Sequence, residues 1–499
     1  MDTLASYDEL PYDSLPLPET QPDVLAALAR LHGFNAPDPR RARILELGCA
    51  QGGNLIPLAW RWPESDCVGV ELSRVQAAAG ADFVQRLGLA NARIVHADLA
   101  ALPADLGSFD YILAHGVFSW VPPAVQGALL DVCRRHLSPQ GLAYVSFNVA
   151  AGWQRLQPLR AALLERTAAG LPAPERHRQA LAVLADLEAE WRDPLLLKEI
   201  AYLRTAAPSY LFHEYLADTN APMPFAEFTA ALDAHGLRYV GEAGPRRARV
   251  ALEDAWGLIP ESMAGRWQDA EIALDDAFAT RFRRAMIARD DAPCAQPPHP
   301  DAMADLAFHA DLACEEDIDL DADVAQRFVN PAGNHFPVVS PALKAALMLL
   351  SMRYPVALDY ASLVDATRAL LADHGAADLD EPAFREALFD LVMLHGVTPT
   401  VWPGRFADEP GERPRAHDLA RAQARTSGWV VSGARHVAVD LDLAGRLLLG
   451  VLDGSRSLDE LAAWMQAQLA ENGLDLPLEQ VEELTRRQLW LYVRQGLLV

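Results

Sequence analysis

Residues 46–54 read ELGCAQGGN and overlap the end of the apolar run RILEL at 43–47. A strand that ends in small residues lets the backbone approach a ligand, and a helix that follows offers free N–H groups there. The middle of the stretch carries Ala50, where such loops usually have glycine. The stretch also fits a dinucleotide loop of the form G-x-A-x-x-G through Gly48, Ala50 and Gly53, so it does not choose a cofactor by itself.

The first half of the chain alternates short apolar runs with helical stretches. Strands are predicted at RILEL (43–47), CVGVEL (67–72), RIVHA (93–97), FDYILA (109–114), LAYVSFN (142–148), LRYVGEA (237–243) and RRAMIAR (283–289). Alternation at this spacing predicts an α/β fold with a parallel sheet and helices on both of its faces. The last two runs are expected to complete the same sheet, with residues 153–212 inserted as a helical cap.

The length of 499 residues exceeds one ordinary core, so two or three domains are expected. The proline-rich stretch DDAPCAQPPHPDAM (290–303) is predicted to be a linker. Beyond it the pattern becomes α+β and indicates small winged-helix-like units. The predicted units are a leader or lid at 1–40, the sheet domain at 41–290, a linker and middle segment at 291–335, and a winged-helix-like domain at 336–499 that binds a substrate or partner.

Composition limits the partners. A formal net charge of −25 repels phosphate backbones, so nucleic acid is not expected, whereas a protein or a small molecule is easier to accommodate. Neither a long apolar run nor a signal peptide is present, which predicts a cytoplasmic protein without membrane insertion. The five cysteines are scattered with no CxxC pair, which predicts reduced thiols and no metal site.

Acidic residues stand at the ends of three consecutive predicted strands: Glu46, Glu71 and Asp98. Ligands of open parallel sheets sit beyond the carboxyl ends of the strands. Glu71 suits a ribose diol, because a carboxylate can accept both hydroxyl protons, and Asp98 is placed to accept from an exocyclic amine. A lone acid at a strand end is often only a helix N-cap, so the prediction depends on the three acids together with the glycines.

The pattern Glu46-x-Gly48-x-x-x-Gly52, with Glu71 and Asp98, resembles the class I S-adenosylmethionine-dependent methyltransferases. That resemblance implies S-adenosylmethionine as the cofactor, with its methionine end in the glycine loop, its ribose on Glu71 and its adenine amine on Asp98. We expect Ala50 to keep a negative φ and the loop to be slightly altered but still tight. The predicted cofactor site comprises Glu46, Gly48, Ala50, Gly52, Asn54, Glu71, Leu72, Asp98, Leu99 and His115.

Longer blocks resemble one bacterial family, the methyltransferases with a so-called regulatory domain. The blocks include YDELPYDSLPLPETQPDVLAALARLHGF (7–34), FDYILAHGVFSWVP (109–122), YLFHEYLADTNAPMPFAEF (210–228) and RHVAVDLDLAGRLLLGVLDGSRSLDEL (435–461). This family includes the outer-membrane-protein lysine methyltransferases, so the resemblance implies protein lysine N-methylation and a regulatory segment at about 213–290. Two alternative functions stay open: methylation of a small-molecule or peptide metabolite, and a non-catalytic protein that senses S-adenosylmethionine. A homodimer is also left open as the assembly.

An acceptor lysine must lose a proton before it attacks, and a dry aromatic pocket favours the neutral amine. The residues predicted to form the acceptor site are His115, Trp120, Asn148, His213 and Tyr12. Trp153 and Glu214 are further candidates, and Phe118 is expected in the core. Tyr7 and Tyr12 could equally anchor the leader.

Overall fold

The computed structural model describes residues 14–244, 266–295, 298–376, 378–426 and 429–499. A seven-stranded sheet forms the centre of the first half. Its strands are β1 (Arg43–Leu47), β2 (Asp66–Glu71), β3 (Ala92–His96), β4 (Phe109–Ala114), β5 (Leu137–Asn148), β6 (Leu237–Glu242) and β7 (Phe282–Arg289). Their spatial order is β3-β2-β1-β4-β5-β7-β6, and β7 runs antiparallel to both neighbours. The predicted sheet is confirmed, including its completion by the two late runs.

Helices cover both faces of this sheet. They are α1 (Pro22–Leu31), α2 (Leu55–Arg61), α3 (Arg74–Leu87), α4 (Pro123–His136), α10 (Phe225–Ala234) and α11 (Trp267–Phe278). One apolar core joins α1 and α2 to one face, and a second joins α4 and α10 to the other. Cover on both sides explains why β4 and the second half of β5 are nearly continuous apolar runs.

Five helices are inserted between β5 and α10 and pack around a core of their own. They are α5 (Ala150–Trp153), α6 (Gln157–Arg166), α7 (Ala173–Glu190), α8 (Pro194–Leu203) and α9 (Pro208–Tyr215). This confirms that the sheet carries a helical insert.

The second half of the chain contains short strands and longer helices. Residues 300–401 hold β8 (Ala307–His309), β9 (Ala313–Cys314), β10 (Gln326–Val329), β11 (His335–Val338), α12 (Pro341–Arg353), β12 (Leu358–Asp359), α13 (Tyr360–Asp373), α14 (Glu381–Met393) and β13 (Thr398–Thr400). The remainder holds α15 (Asp418–Arg425), β14 (Val431–Ser432), β15 (Ala438–Val439), α16 (Leu443–Val451), α17 (Leu458–Glu471) and α18 (Leu478–Arg494). This last group has its own apolar core.

The C-terminal group packs directly on the helices that follow β1 and β2. The indole of Trp429 stacks on Phe83 of α3 with ring centroids 3.8 Å apart. The ring of His417 stacks on Trp60 of α2 at 4.2 Å. The C-terminal group is therefore held against α2, which follows the glycine loop, and against α3, which follows β2. Within the described ranges, no helix is long and apolar enough to cross a bilayer.

Candidate active site

The glycine loop after β1 is wound in the left-handed region. Gly48, Ala50 and Gly52 have φ angles of 70°, 49° and 82°. The expectation that Ala50 keeps a negative φ is therefore wrong. The loop turns back so that the Ala50 amide donates to Glu71 Oε2 at 2.9 Å. That hydrogen bond holds an L-residue in a conformation that costs about 1–2 kcal/mol relative to its preferred one.

Glu46, at the penultimate position of β1, is buried with 4% of its surface exposed. Its Oε1 accepts from Asn54 Nδ2 at 2.8 Å, whereas its Oε2 has no hydrogen-bond partner among the described residues. Burial raises the pKa of Glu46 to about 8, the nearby Glu71 adds to the rise, and the Asn54 hydrogen bond opposes it. A buried carboxyl oxygen without a partner beside a glycine loop fits a cationic ligand group.

Asn54 is predicted to bind cofactor, and the structure places it at a junction behind the loop. Its Oδ1 accepts from the Leu17 amide at 2.9 Å and lies 2.6 Å from Nε2 of His436. The Thr20 hydroxyl lies 2.9 Å from the same oxygen. Asn54 is itself buried, so its role in the described contacts is to orient Glu46.

The acids after β2 and β3 differ in what they contact. Glu71 is half-buried, and its Oε1 accepts from the Ser73 amide at 2.7 Å. Asp98 is exposed, and its Oδ1 accepts from the Ala100 amide at 2.9 Å, which caps a short 3-10 helix. Asp98 is thus an N-cap as well as a strand-end acid. Leu72, which is 49% exposed, and the half-buried Leu99 follow the adjacent parallel strands β2 and β3, so both lie at the same edge of the sheet.

Residues 14–21 lie over the glycine loop. The Gly53 amide donates to Ser14 Oγ at 2.8 Å. A Cβ atom on Gly53 would lie 2.0 Å from the Ser14 carbonyl oxygen, so this close approach requires glycine. Tyr7 and Tyr12, which are predicted for the leader, lie outside the described residues.

His115, which follows β4, stands in a cluster of polar and aromatic side chains. Its Nδ1 is 2.8 Å from the Tyr144 hydroxyl, and its ring meets Phe282 edge-on at 5.6 Å between centroids. Glu19 from the leader forms a 2.7 Å ion pair with Arg284 of β7 beside it. Burial lowers the pKa of His115 to about 4, Arg284 lowers it further and Glu19 opposes both, so the ring is neutral at pH 7.

Two of the other predicted acceptor residues, Trp120 and Asn148, lie where β4 and β5 end. Asn148 is buried. Its main-chain N–H donates to Ser119 Oγ at 2.7 Å, and its side-chain Nδ2 donates to Asn220 Oδ1 at 3.0 Å. Trp120 is buried in the same 118–120 turn as Ser119.

Phe118 packs in the core against Phe147 and Phe228, as expected. His213 and Trp153 are buried among the inserted helices, His213 on α9 and Trp153 against Tyr215 at 5.6 Å between centroids. The half-buried Glu214 neighbours His213 on α9.

The glycine loop and the turn after β4 touch each other. β1 and β4 are adjacent parallel strands, so their carboxyl ends share one edge. A Cβ atom on Gly48 would lie 2.7 Å from Val117 Cγ2. A ligand bound at the loop therefore borders the residues at 115–120.

Comparison with known proteins identifies the family of this chain. Three family models match it: "Methyltransferase domain" over residues 44–141, "Predicted methyltransferase regulatory domain" over 207–289, and "PKMT, C-terminal winged helix domain" over 412–490. The uncharacterized protein RP028 of Rickettsia prowazekii is 31% identical over 45% of this chain and 92% of its own length. The chain belongs to the family of methyltransferases that carry a regulatory domain. The resemblance seen in the sequence is thereby confirmed.

Other relatives agree with the family. The uncharacterized protein RP789 of Rickettsia prowazekii is 38% identical over 47% of this chain and 44% of its own length, so the chain spans less than half of that relative. The structure of PKMT2 from Rickettsia typhi in complex with AdoHcy superposes with a TM-score of 0.84 at 21% identity, over 98% of this chain and 100% of that one. This match extends the shared fold to nearly the whole chain.

The cofactor of such a methyltransferase domain is S-adenosylmethionine, and the residues present fit it. The Oε2 of Glu46, which lacks a partner among the described residues, suits the ammonium of the methionine end. Glu71 lies at the second strand end, where a ribose acceptor is required. The residue-by-residue roles remain predictions.

Several residues of the site were not found from the sequence. Glu19 and Arg284 form an ion pair between residues 265 positions apart, which leaves no local pattern. Tyr144 contacts His115 across 29 positions, and that contact leaves no local pattern either. His436 was missed for the same reason, since it reaches Asn54 across 382 positions. The only available signal was the position of Tyr144 and Arg284 within predicted strands.

Proposed function

We propose that this chain is an S-adenosylmethionine-dependent methyltransferase that methylates lysine side chains of proteins. The observation that carries the proposal is the joining of a methyltransferase sheet to a C-terminal winged-helix domain whose family model is described by the term PKMT, for protein lysine methyltransferase. The fold shared with PKMT2 of Rickettsia typhi over nearly the whole length supports the same conclusion.

The chain holds the cofactor through residues at three strand ends. When bound, S-adenosylmethionine supplies an electrophilic methyl group on a sulfonium. The buried Glu46 carboxylate, beside the left-handed glycine loop, faces the ammonium of the methionine end. Glu71 accepts from the ribose, and Asp98 accepts from the adenine amine while it caps its turn.

The acceptor site lies at the ends of β4 and β5. His115 is neutral, because burial lowers its pKa to about 4, so its ring repels neither a sulfonium nor an arriving amine. Phe282, Tyr144 and Trp120 exclude water, which favours the uncharged amine that can attack. The Oδ1 of Asn148 can accept an amine proton and fix the direction of the amine lone pair, and Asn220 orients this amide because its own Oδ1 accepts from Asn148 Nδ2.

Charge complementarity supports a basic protein substrate. The chain carries 68 acidic against 43 basic residues, for a formal net charge of −25. A surface of this sign attracts lysine-rich proteins and speeds their encounter with the site.

The test incubates the full chain with S-adenosylmethionine labelled in its methyl group and a panel of lysine-rich bacterial proteins. We expect label in the protein fraction, and we expect Glu71→Ala to lose most of it through weaker cofactor binding. An exposed charge variant, Glu64→Gln, serves as the matched control, since Glu64 contacts only Arg41 at the surface in the described residues. Label found only in a low-mass fraction would contradict the proposal.

A small-molecule acceptor is the second candidate. It is favoured by a match to the trans-aconitate 2-methyltransferase of an Azoarcus species, at 33% identity over 101 residues. That match covers 20% of this chain, so it bears on the methyltransferase domain and not on the winged-helix domain. The low-mass fraction of the same experiment tests it. A chain that binds the cofactor and produces no S-adenosylhomocysteine with any acceptor would instead be a sensor.

A further inference from the structure

The turn between β14 and β15, residues 433–437, reaches from the winged-helix domain to the back of the cofactor loop. His436 in this turn is buried, and its Nε2 lies 2.6 Å from Asn54 Oδ1. An amide oxygen can only accept, so Nε2 carries the proton and His436 donates. Burial lowers the pKa of His436 to about 3 and Arg61 adds to the fall, so a neutral ring makes this hydrogen bond.

The contact continues to the predicted methionine end of the cofactor. Asn54 Oδ1 is held by the Leu17 amide and by His436, which fixes the amide plane. The Nδ2 of Asn54 then donates to Glu46 Oε1 at 2.8 Å and leaves Oε2 without a partner among the described residues. His436 thus lies two hydrogen bonds from the buried oxygen that faces the cofactor.

The turn is shaped to present this one side chain. His436 has a φ of 57°, a left-handed conformation that few residues other than glycine adopt and that surrounding contacts must maintain. Those contacts are present. The Ala434 amide donates to Gly496 O at 3.1 Å, Arg435 donates to the Pro355 and Pro403 carbonyls at 2.8 and 2.7 Å, and Arg61 donates to Ala434 O.

We propose that His436 is a positioning residue for the methionine end of S-adenosylmethionine, so that the docked winged-helix domain completes the cofactor site. The inference rests on the cofactor of the proposed function and not on the identity of the acceptor. It makes the binding of the amino-acid end of the cofactor and the docking of residues 433–437 mutually dependent, since coupling between two sites is reciprocal.

The test uses the full-length chain and two ligands measured by calorimetry. S-adenosylhomocysteine has the amino-acid end, and 5′-methylthioadenosine lacks it. His436→Asn keeps a residue that tolerates a left-handed φ but is too short to reach Asn54. We expect this variant to lower the affinity for S-adenosylhomocysteine by about fivefold to tenfold, as for the loss of one neutral hydrogen bond, and to leave the affinity for 5′-methylthioadenosine within about twofold of wild type. His436→Gln, whose amide can replace Nε2, should restore most of the affinity.

The matched control is Trp490→Leu, at a 48% exposed position on α18 of the same domain, away from the docking contacts described above. It should not show the selective loss. Equal weakening of the binding of both ligands by His436→Asn, no weakening at all, or the same selective loss in Trp490→Leu would overturn the inference. If His436→Asn does not fold, His436→Ala is judged by the same criteria, and the His436→Gln variant must still bind S-adenosylhomocysteine with most of the wild-type affinity. A wild-type chain that binds neither ligand would overturn the cofactor assignment as well.

Discussion

Replacing the Glu46 carboxyl with an amide should stabilise the cofactor-free protein and weaken cofactor binding. Burial raises the Glu46 pKa from an ordinary 4.5 to about 8. A carboxyl whose pKa is raised by folding contributes stability that is complete below about pH 4.5 and is lost as the pH rises through 8. The side-chain amide introduced by Glu46→Gln cannot ionise and can still accept from Asn54, so the variant does not suffer this loss.

The size of the effect follows from the pH interval. Each pH unit between the two pKa values is worth about 1.4 kcal/mol, so the stability gained by Glu46→Gln over wild type should grow by about 4 kcal/mol from pH 5 to pH 8. Urea unfolding without cofactor at both pH values measures it. Glu64→Gln, an exposed control whose wild-type side chain is 66% accessible, should show no such trend. A difference that stays constant with pH would refute the account of Glu46.

Binding should change in the opposite direction. With the carboxylate gone, S-adenosylhomocysteine should bind about 10-fold to 100-fold more weakly at pH 8, the loss expected for a hydrogen bond between charged groups. Near pH 7 the wild type should also release close to one proton on binding, because the ligand ammonium favours the ionised Glu46. Calorimetry in two buffers of different ionisation enthalpy counts that proton. The same proton release in Glu46→Gln would show that another group supplies it.

Three further predictions follow from the loop and the strand ends. Ala50→Gly should raise the free energy of unfolding by about 0.5–1 kcal/mol, because relief of the left-handed strain exceeds the added chain entropy; a loss of stability in urea unfolding would contradict the φ of 49°. Gly53→Ala should release the leader, because the added Cβ would lie 2.0 Å from the Ser14 carbonyl oxygen, and limited proteolysis should then cut the chain ahead of α1. The control Gly127→Ala on α4, where the added Cβ has its nearest neighbour at 3.8 Å, should resemble wild type. Glu71→Ala should lower the affinity for S-adenosylhomocysteine, measured by calorimetry, by at least about tenfold. Unchanged affinity would show that Glu71 does not bind the cofactor.

The sheet could be predicted from the sequence because its signals are local. Each strand is a short apolar run, and Glu46 and Glu71 are found by asking which residue stands at a strand end. Ala50 shows where such reasoning fails. Its φ is set by a hydrogen bond from its amide to Glu71, across 21 positions, and the identity of the residue gives no sign of it.

The surroundings of the site depend on contacts between distant segments. The sequence predicts Asn54 as a cofactor residue, and the structure adds its contacts with Leu17 and His436, which make it the point where the leader, the loop and the winged-helix domain meet. Glu19 lies beside His115 because the leader packs against β7, where Glu19 forms an ion pair with Arg284. Such contacts leave no periodic pattern, so only the structure could supply them.

Methyl transfer to protein lysine can be tested by amino-acid analysis of the product. The full chain, a lysine-rich protein and S-adenosylmethionine carrying a deuterated methyl group are incubated, and the protein fraction is hydrolysed and analysed by mass spectrometry. We expect deuterated ε-N-methyl-lysine with wild type and little with Glu71→Ala. Deuterium on another amino acid, or only on a low-mass compound, would contradict it.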